Sequence, residues 1–221
     1  MIKYSIIVPT LESNSYLDKL FLSLKKFENR SDIELIIVSN VKCNTDIKFN
    51  NILYKNIVNI DIKHPGKKRD LGSLSSVGEF LIFIDDDAYF SSDYFKVLDN
   101  LTKEGEYNVI CGPNITPKDD SYFAYLSGST YDNPLLGVSY RYNNSKILIK
   151  KSLDDFPSVN LVIKKTTFNG VNGFNNDYWP GDDTYLCNKL KDNGDDIVFF
   201  SNLIVFHYRR SFFIKHVRQV F

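Results

Sequence analysis

The sequence lacks the features that mark secreted, membrane-spanning or nucleic-acid-binding proteins. Its 221 residues include only three cysteines, whose odd number and wide spacing argue against a disulfide framework or a zinc site. No stretch approaches the roughly 20 apolar residues that span a bilayer, and Met1 is followed by a strand-like run instead of a secretory leader. Lys plus Arg and Asp plus Glu both number 27, so net charge favours neither nucleic acid nor a membrane. We expect a soluble cytoplasmic protein, attached at most peripherally to the inner face of the membrane.

What the sequence does contain is a rhythm of buried strands and helices. Apolar residues make up 43% of the chain, enough for a packed core. Short apolar runs predict strands in KYSIIVP, IELIIVSN, ILYKNIVNI and EFLIFIDDD, and helices are predicted in YLDKLFLSLKKF and GKKRDLGSLSS. This pattern indicates an α/β, Rossmann-like fold with a mostly parallel central sheet flanked by helices.

The second half of the chain is less regular. Residues 113–150 show no clear period and are expected to form loops, short strands or a flap. Strands are predicted in SVNLVI, DIVFF and LIVFHY, and a helix in GDDTYLCNKLKDNG. No repeat, low-complexity tract or linker is evident, so one domain over 1–221 is expected.

An acidic cluster, Asp85, Asp86 and Asp87, follows the buried strand EFLIF. In an open α/β sheet, ligands bind at the carboxyl ends of the strands. Residues two apart on a strand face the same side, so Asp85 and Asp87 can point together while Asp86 points away. Aspartates also favour turns and helix N-caps, but three adjacent carboxylates repel one another and need a counter-charge. A divalent cation is the simplest one.

Two further motifs could contribute to a site. Asp182 and Asp183 begin a predicted helix after Trp179 and Gly181, where one acid would be enough to complement the helix dipole. The second carboxylate suggests a general base. His207 follows an apolar strand, where a structural role is common, yet carboxylates and an imidazole together suit an ion such as Mn²⁺. The adjacent Arg209 and Arg210 could contact phosphate oxygens.

These motifs together resemble the inverting family 2 glycosyltransferases of GT-A fold. SIIVPTLES is similar to that family's opening strand and nucleotide-contacting loop, and GKKRDLGSLSSVGEFLIFIDDD to its basic helix and D-x-D metal motif. GVNGFNNDYWPGDDTYLCNKL resembles its Gly-Gly-Phe segment and Glu-Asp-Thr motif, and VFHYRR its closing strand and histidine. The resemblance implies a nucleotide-sugar-binding half over 1–112, an acceptor-side half over 113–208 and a basic amphipathic helix over 209–221.

The resemblance also implies a role for each motif. Asp85, Asp87 and His207 would bind Mn²⁺ or Mg²⁺ at the diphosphate of a nucleotide sugar, and Asp183 would deprotonate the acceptor hydroxyl. The implied donor-binding residues are Pro9, Thr10, Glu12, Ser39, Asn40, Arg69 and Asp86. Trp179, Gly181 and Asp182 would face the acceptor, a glycan or a lipid-linked molecule in polysaccharide or glycoconjugate synthesis. A UDP-sugar is favoured as the donor, with dTDP- and GDP-sugars as alternatives, and no nucleic acid is expected as a partner.

Departures from the family pattern concern the donor more than the chemistry. Asn40 stands where the family often has an Asp that contacts the base, and a neutral amide offers both a donor and an acceptor. Asp182 replaces the more common Glu, which shortens the side chain by one methylene, and Asp70 replaces a common Asn. We expect effects on nucleotide choice, on acceptor fit and on local structure respectively.

Two alternative functions and one structural alternative for the C-terminal residues remain open. A haloacid-dehalogenase-type phosphohydrolase also pairs a D-x-D with a later Gly-Asp-Asp, but its D-x-D follows the first strand. A catalytically silent protein of the same fold would bind nucleotide sugar without turnover. The final residues, RRSFFIKHVRQVF, suit either a terminal helix packed on the domain or a basic helix that contacts a membrane.

Overall fold

A computed structural model describes all residues except 104, 132–138, 143–148, 176, 179 and 210–221. The strands are β1 (Tyr4–Pro9), β2 (Ile33–Ser39), β3 (Leu53–Val58), β4 (Phe80–Phe83), β5 (Ala88–Phe90), β6 (Val109–Cys111), β7 (Asn114–Ile115), β8 (Ile149–Lys150), β9 (Leu161–Lys164), β10 (Ile197–Phe200) and β11 (Val205–His207). The α-helices are α1 (Ser15–Lys25), α2 (Pro65–Leu74), α3 (Tyr94–Thr102), α4 (Tyr122–Tyr131), α5 (Lys165–Gly170) and α6 (Asp182–Asp192). Single 3₁₀ turns lie at Ser139–Arg141 and Ser158–Asn160.

Eight strands form the central sheet, in the order β3-β2-β1-β4-β9-β6-β10-β8. The pairs β1–β2, β2–β3, β1–β4 and β6–β10 are parallel, while β9 is antiparallel to both of its neighbours and β8 is antiparallel to β10. The sheet is therefore mostly parallel and the predicted α/β class is confirmed. Strand β9 was predicted in SVNLVI but its antiparallel direction was not, because strand direction depends on the path of the preceding chain and not on local sequence.

Strands β1, β2 and β4 are buried along their whole length because both faces of the sheet are covered. In β1, Ile6 and Val8 pack with Leu17 and Phe21 of α1 in one apolar layer. Ile7, between them, belongs to the opposite layer. This alternation follows from the two-residue period of a strand. It explains why β1 is buried along its whole length although only alternate residues pack with α1.

A second, three-stranded sheet in the order β5-β11-β7 lies at the carboxyl end of β4. Strand β11 is antiparallel to β5, with His207 opposite Ala88, and parallel to β7, with Val205 opposite Asn114. This small sheet brings residues from three distant parts of the chain to the end of the D-x-D strand.

Two predictions about irregular or terminal regions have different outcomes. Residues 113–150 were expected to form loops, short strands or a flap; they contain the short strands β7 and β8, and also the ten-residue helix α4, which was not predicted. The predicted C-terminal helix over 209–221 lies outside the described residues, except for Arg209. Within the described part of the chain, no helix combines the length and apolar character needed to cross a membrane.

Candidate active site

Two of the three aspartates converge with His207 at the end of β4. Nε2 of His207 lies 3.0 Å from Oδ1 of Asp87. One ligand atom from each of Asp85, Asp87 and His207 lies within 4.8 Å of the others. Two carboxylates and an imidazole form a donor set suited to Mn²⁺ or Mg²⁺. These residues therefore fit the cation that the sequence predicted for them.

Two arginines contact this cluster. Nη2 of Arg69 donates to Oδ1 of Asp85 over 2.6 Å, and Nη1 of Arg209 lies 2.9 Å from Nδ1 of His207. With Nδ1 directed at Arg209, Nε2 faces Asp87. Burial alone would raise the pKa of Asp87, but His207 and Arg209 bring that pKa below its ordinary value. Asp87 is thus a carboxylate at neutral pH.

The middle aspartate points away from the cluster, although residues 85–87 lie in the turn between β4 and β5 and not within a strand. Asp86 accepts hydrogen bonds from the hydroxyl of Thr10 over 2.5 Å and from the amide of Asn14 over 3.0 Å. Burial raises the pKa of Asp86. Asn14 also caps α1, so Asp86 links the D-x-D segment to the loop after β1. In that loop Pro9 is buried at the end of β1, while Glu12 is exposed and its carbonyl accepts the Thr10 hydroxyl.

The predicted base-contacting residues are engaged by the protein itself. The amide nitrogen of Asn40 donates to the carbonyls of residues 59, 60 and 62, and its oxygen accepts from the ammonium of Lys68 over 2.6 Å. Ser39 is buried and accepts from Asn56 over 2.9 Å. Both ends of the Asn40 amide therefore have hydrogen-bond partners within the protein. Lys68, which sequence reasoning missed, is buried and also donates to the carbonyl of Thr10.

Helix α6 presents the second pair of acids. It begins at Asp182, directly after Gly181, whose φ of 117° is a conformation that favours glycine. The Oδ1 atom of Asp183 is buried and has no hydrogen-bond partner in the described structure. Burial raises the pKa of Asp183 to about 6, with the neighbouring Asp182 adding to the rise and Arg69 opposing it. A carboxylate with this pKa accepts a proton readily near neutral pH. Trp179, the predicted acceptor platform, lies outside the described residues.

Arg69 connects the two acidic motifs. Its Nη1 lies 3.3 Å from Oδ2 of Asp182, while its Nη2 contacts Asp85. The guanidinium is buried, so its contact with Asp182 is shielded from solvent, while the carboxylate of Asp85 is 32% exposed. The resemblance placed Arg69 near the base or phosphates of the donor, and the structure places it between the cluster at the end of β4 and the acids of α6.

A cavity of about 420 Å³ opens beside the cluster of Asp85, Asp87 and His207, called here the cation cluster because these residues could bind a cation. Its lining comprises Asp85, Asp87, Asn114, Ser127, Tyr131, Tyr142, Pro157, Val159, His207, Tyr208 and Arg209. Several of these come from the irregular stretch 113–150, where no motif identified them in advance. The cavity thus combines charged and polar residues with tyrosine rings, and it has room for a small polar ligand.

Comparison with known proteins identifies the family. The sequence model of the family described as glycosyl transferase family 2 matches residues 5–161. This range includes nearly all of β1, the acidic cluster and the 3₁₀ turn before β9. The chain belongs to this family. The resemblance inferred from the motifs is confirmed, and the cluster at the end of β4 lies in a glycosyltransferase domain.

Curated proteins similar in sequence to this chain are also glycosyltransferases. The poly(ribitol-phosphate) beta-N-acetylglucosaminyltransferase TarS of Staphylococcus aureus is 31% identical over 105 residues, in strains Mu50 and MW2 alike. The match covers 43% of this chain and only 18% of TarS.

Solved TarS structures share the fold over nearly the whole chain. The structure of TarS 1–349 in complex with UDP-GlcNAc has a TM-score of 0.69 and 17% identity, covering 95% of this chain and 59% of that one. The longer TarS structure has a TM-score of 0.67 and 16% identity, covering 94% of this chain and 37% of that one. The likeness at this identity shows the GT-A fold, and this chain spans well under two thirds of the TarS chain.

Proposed function

We propose that this chain is a metal-dependent, inverting glycosyltransferase that moves a sugar from a UDP-sugar to a hydroxyl acceptor. The observation that carries the proposal is the buried Arg69, which connects the cluster of Asp85, Asp87 and His207, through Asp85, to Asp182 at the start of α6. That arrangement supplies the two parts that sugar transfer needs, stabilisation of a leaving diphosphate and a base for the acceptor. UDP-GlcNAc is the first donor to test, because a structural neighbour binds it.

On the donor side, Asp85, Asp87 and His207 would bind Mn²⁺ or Mg²⁺. The bound cation would neutralise charge that develops on the departing diphosphate. Arg69 and Arg209 orient the ligands of that site, and the link from Asp86 to Thr10 and Asn14 fixes the loop after β1 beside it. The roles of the remaining donor-binding residues are those that the family resemblance implies.

On the acceptor side, Asp183 takes the proton from the attacking hydroxyl. The oxygen then forms a bond to the anomeric carbon as the bond from that carbon to the diphosphate breaks on the opposite face. This geometry inverts the anomeric configuration. The burial that raises the pKa of Asp183 suits it to take up this proton and release it after transfer.

The acceptor class is a hydroxyl-bearing glycan, polyol polymer or lipid-linked molecule in polysaccharide or glycoconjugate synthesis. The name of TarS specifies a poly(ribitol-phosphate) acceptor for that protein. A short ribitol-phosphate oligomer and simple glycans therefore form the starting acceptor panel for this chain.

The test combines turnover with stereochemistry. Wild-type protein is incubated with UDP-GlcNAc and Mn²⁺, with and without each acceptor, and UDP release is measured. NMR of the product then gives the anomeric configuration. Acceptor-dependent UDP release with a β-linked product from the α-linked donor supports the proposal. An α-linked product contradicts inversion, and UDP-sugar binding without turnover across the panel would favour the silent binding protein.

A further inference from the structure

Asn114 presents an unsatisfied hydrogen-bond donor inside the candidate active site. The residue begins β7, is only 1% exposed and lines the cavity beside the cation cluster. Its amide nitrogen is buried and has no hydrogen-bond partner among the described residues. Buried polar groups are nearly always hydrogen-bonded in native proteins. An unpaired donor at this place therefore calls for a partner beyond those that the described residues supply.

The orientation of the Asn114 amide is fixed by Arg209. Nη2 of Arg209 donates to Oδ1 of Asn114 over 2.7 Å and also to the backbone carbonyl of the same residue. A flipped amide would place its NH₂ group against the guanidinium, which has donors only. The oxygen therefore faces Arg209, and within the described structure Nδ2 is left as a hydrogen-bond donor without a partner.

The surroundings of Asn114 indicate a neutral ligand group. The central carbon of the Arg209 guanidinium lies 5.8 Å and 5.2 Å from the ring centroids of Tyr131 and Tyr142, two aromatic residues of the cavity wall. Arg209 itself donates to Thr116, His207 and Asn114. A phosphate oxygen would favour a free cation, whereas a neutral amide beside tyrosine rings suits a sugar.

We propose that Nδ2 of Asn114 donates a hydrogen bond to an oxygen substituent of the transferred sugar, either a hydroxyl or an acyl carbonyl. Asn114 would then be a specificity residue for the sugar, distinct from the groups that bind the diphosphate. This inference rests on the proposed function, since it assumes that a nucleotide sugar occupies the cavity.

Asn114→Asp removes only the hydrogen-bond donor of the side chain, because the carboxylate still accepts from Arg209 but has no NH₂ group. With Mn²⁺ present, we expect the dissociation constant of UDP-GlcNAc to rise about 5- to 100-fold, while that of UDP changes less than about twofold. Asn202→Asp introduces the same charge at an exposed position outside the cavity and is expected to change neither constant. Asn114→Leu is uncharged and should show the same split, with folding checked by thermal denaturation.

Binding of UDP-glucose, which lacks the acyl group of UDP-GlcNAc, distinguishes a hydroxyl partner of Nδ2 from an acyl carbonyl partner. A loss confined to UDP-GlcNAc assigns the acyl carbonyl as the partner of Nδ2, and an equal loss for both donors assigns a hydroxyl. Equal losses for UDP and UDP-sugars would overturn the proposal in favour of a phosphate contact. Unchanged affinities in both Asn114 variants would overturn it in favour of a water partner. If the wild type binds UDP and the variants behave like it, only this inference falls, whereas a wild type that binds no nucleotide removes the proposed function as well.

Discussion

His207 and Asp87 lie 3.0 Å apart, Nε2 to Oδ1, at the junction of two short strands. The contact exists because β11 pairs with β5 in the register that sets His207 opposite Ala88. Asp85 joins the pair from the end of β4, so the cation cluster depends on a three-stranded sheet as well as on the D-x-D motif.

Asp87→Ala should remove the dependence of nucleotide binding on metal. The variant loses a carboxylate that is ionised at neutral pH and central to the cluster. Calorimetry with UDP, with and without Mn²⁺, measures the effect. Asp61→Ala, an exposed aspartate outside the cavity, is the matched control and should behave like the wild type. Mn²⁺-dependent UDP binding that persists in Asp87→Ala would exclude Asp87 as a ligand.

Asp183→Asn should lower turnover by roughly 10²- to 10⁴-fold while leaving donor binding intact. The amide has nearly the same shape but cannot take the proton of the acceptor hydroxyl. Initial rates of acceptor-dependent UDP release give the turnover, and calorimetry gives the affinity for UDP-GlcNAc. Wild-type turnover in this variant would remove Asp183 from the mechanism.

The activity of the wild type should fall as the pH is lowered through about 6. Asp183 has a pKa raised to about 6 by burial, so the base is present above that pH and protonated below it. A plot of log kcat/KM against pH should have an acid limb with a slope of one. A profile that stays flat down to pH 5 would argue against a base with this pKa.

Arg69→Gln should move that acid limb to higher pH. The Arg69 charge lowers the pKa of Asp183, so its removal leaves the rise caused by burial and Asp182 unopposed. Breaking the buried pair with Asp182 and the partly buried pair with Asp85 should also cost about 3 to 5 kcal/mol of stability. Arg69→Lys keeps the charge and serves as the control for the limb. An unshifted limb in the Gln variant would show that Arg69 and Asp183 are not coupled.

The same carboxylate should make folding less stable as the pH rises from about 4 to 6. Its pKa is higher in the folded than in the unfolded chain, so the folded state binds more protons across that window. Asp183→Asn lacks this titration and should therefore be more stable than the wild type above pH 6. Chemical denaturation at pH 5 and pH 8 tests this, and a variant that loses stability equally at both values would contradict it.

Much of the donor half could be predicted from the sequence because its strands are buried on both faces. The apolar runs of β1, β2 and β4 are visible without any partner, and so is the D-x-D that follows them. Strand β5 was not predicted, because three residues carry no periodic signal. The orphaned donor of Asn114 could not be predicted either, since it arises from contact with the distant Arg209.

Some motif residues have structural roles that the sequence did not specify. Asp70, for which only a local effect was expected, accepts the backbone N–H groups of Phe174 and Asn175, each over 2.8 Å. It therefore anchors the turn that leads to α6. Such roles become visible only once the packing between α2 and that turn is known.

Calorimetric titration of UDP into the wild-type protein, with and without Mn²⁺, tests the central claim most directly. The claim is that the cavity beside Asp85, Asp87 and His207 binds a nucleoside diphosphate together with a divalent cation. We predict binding that is at least about tenfold tighter with Mn²⁺, a difference of about 1.4 kcal/mol. Equal affinity with and without the cation, or no binding of UDP, GDP or dTDP under either condition, would contradict the account.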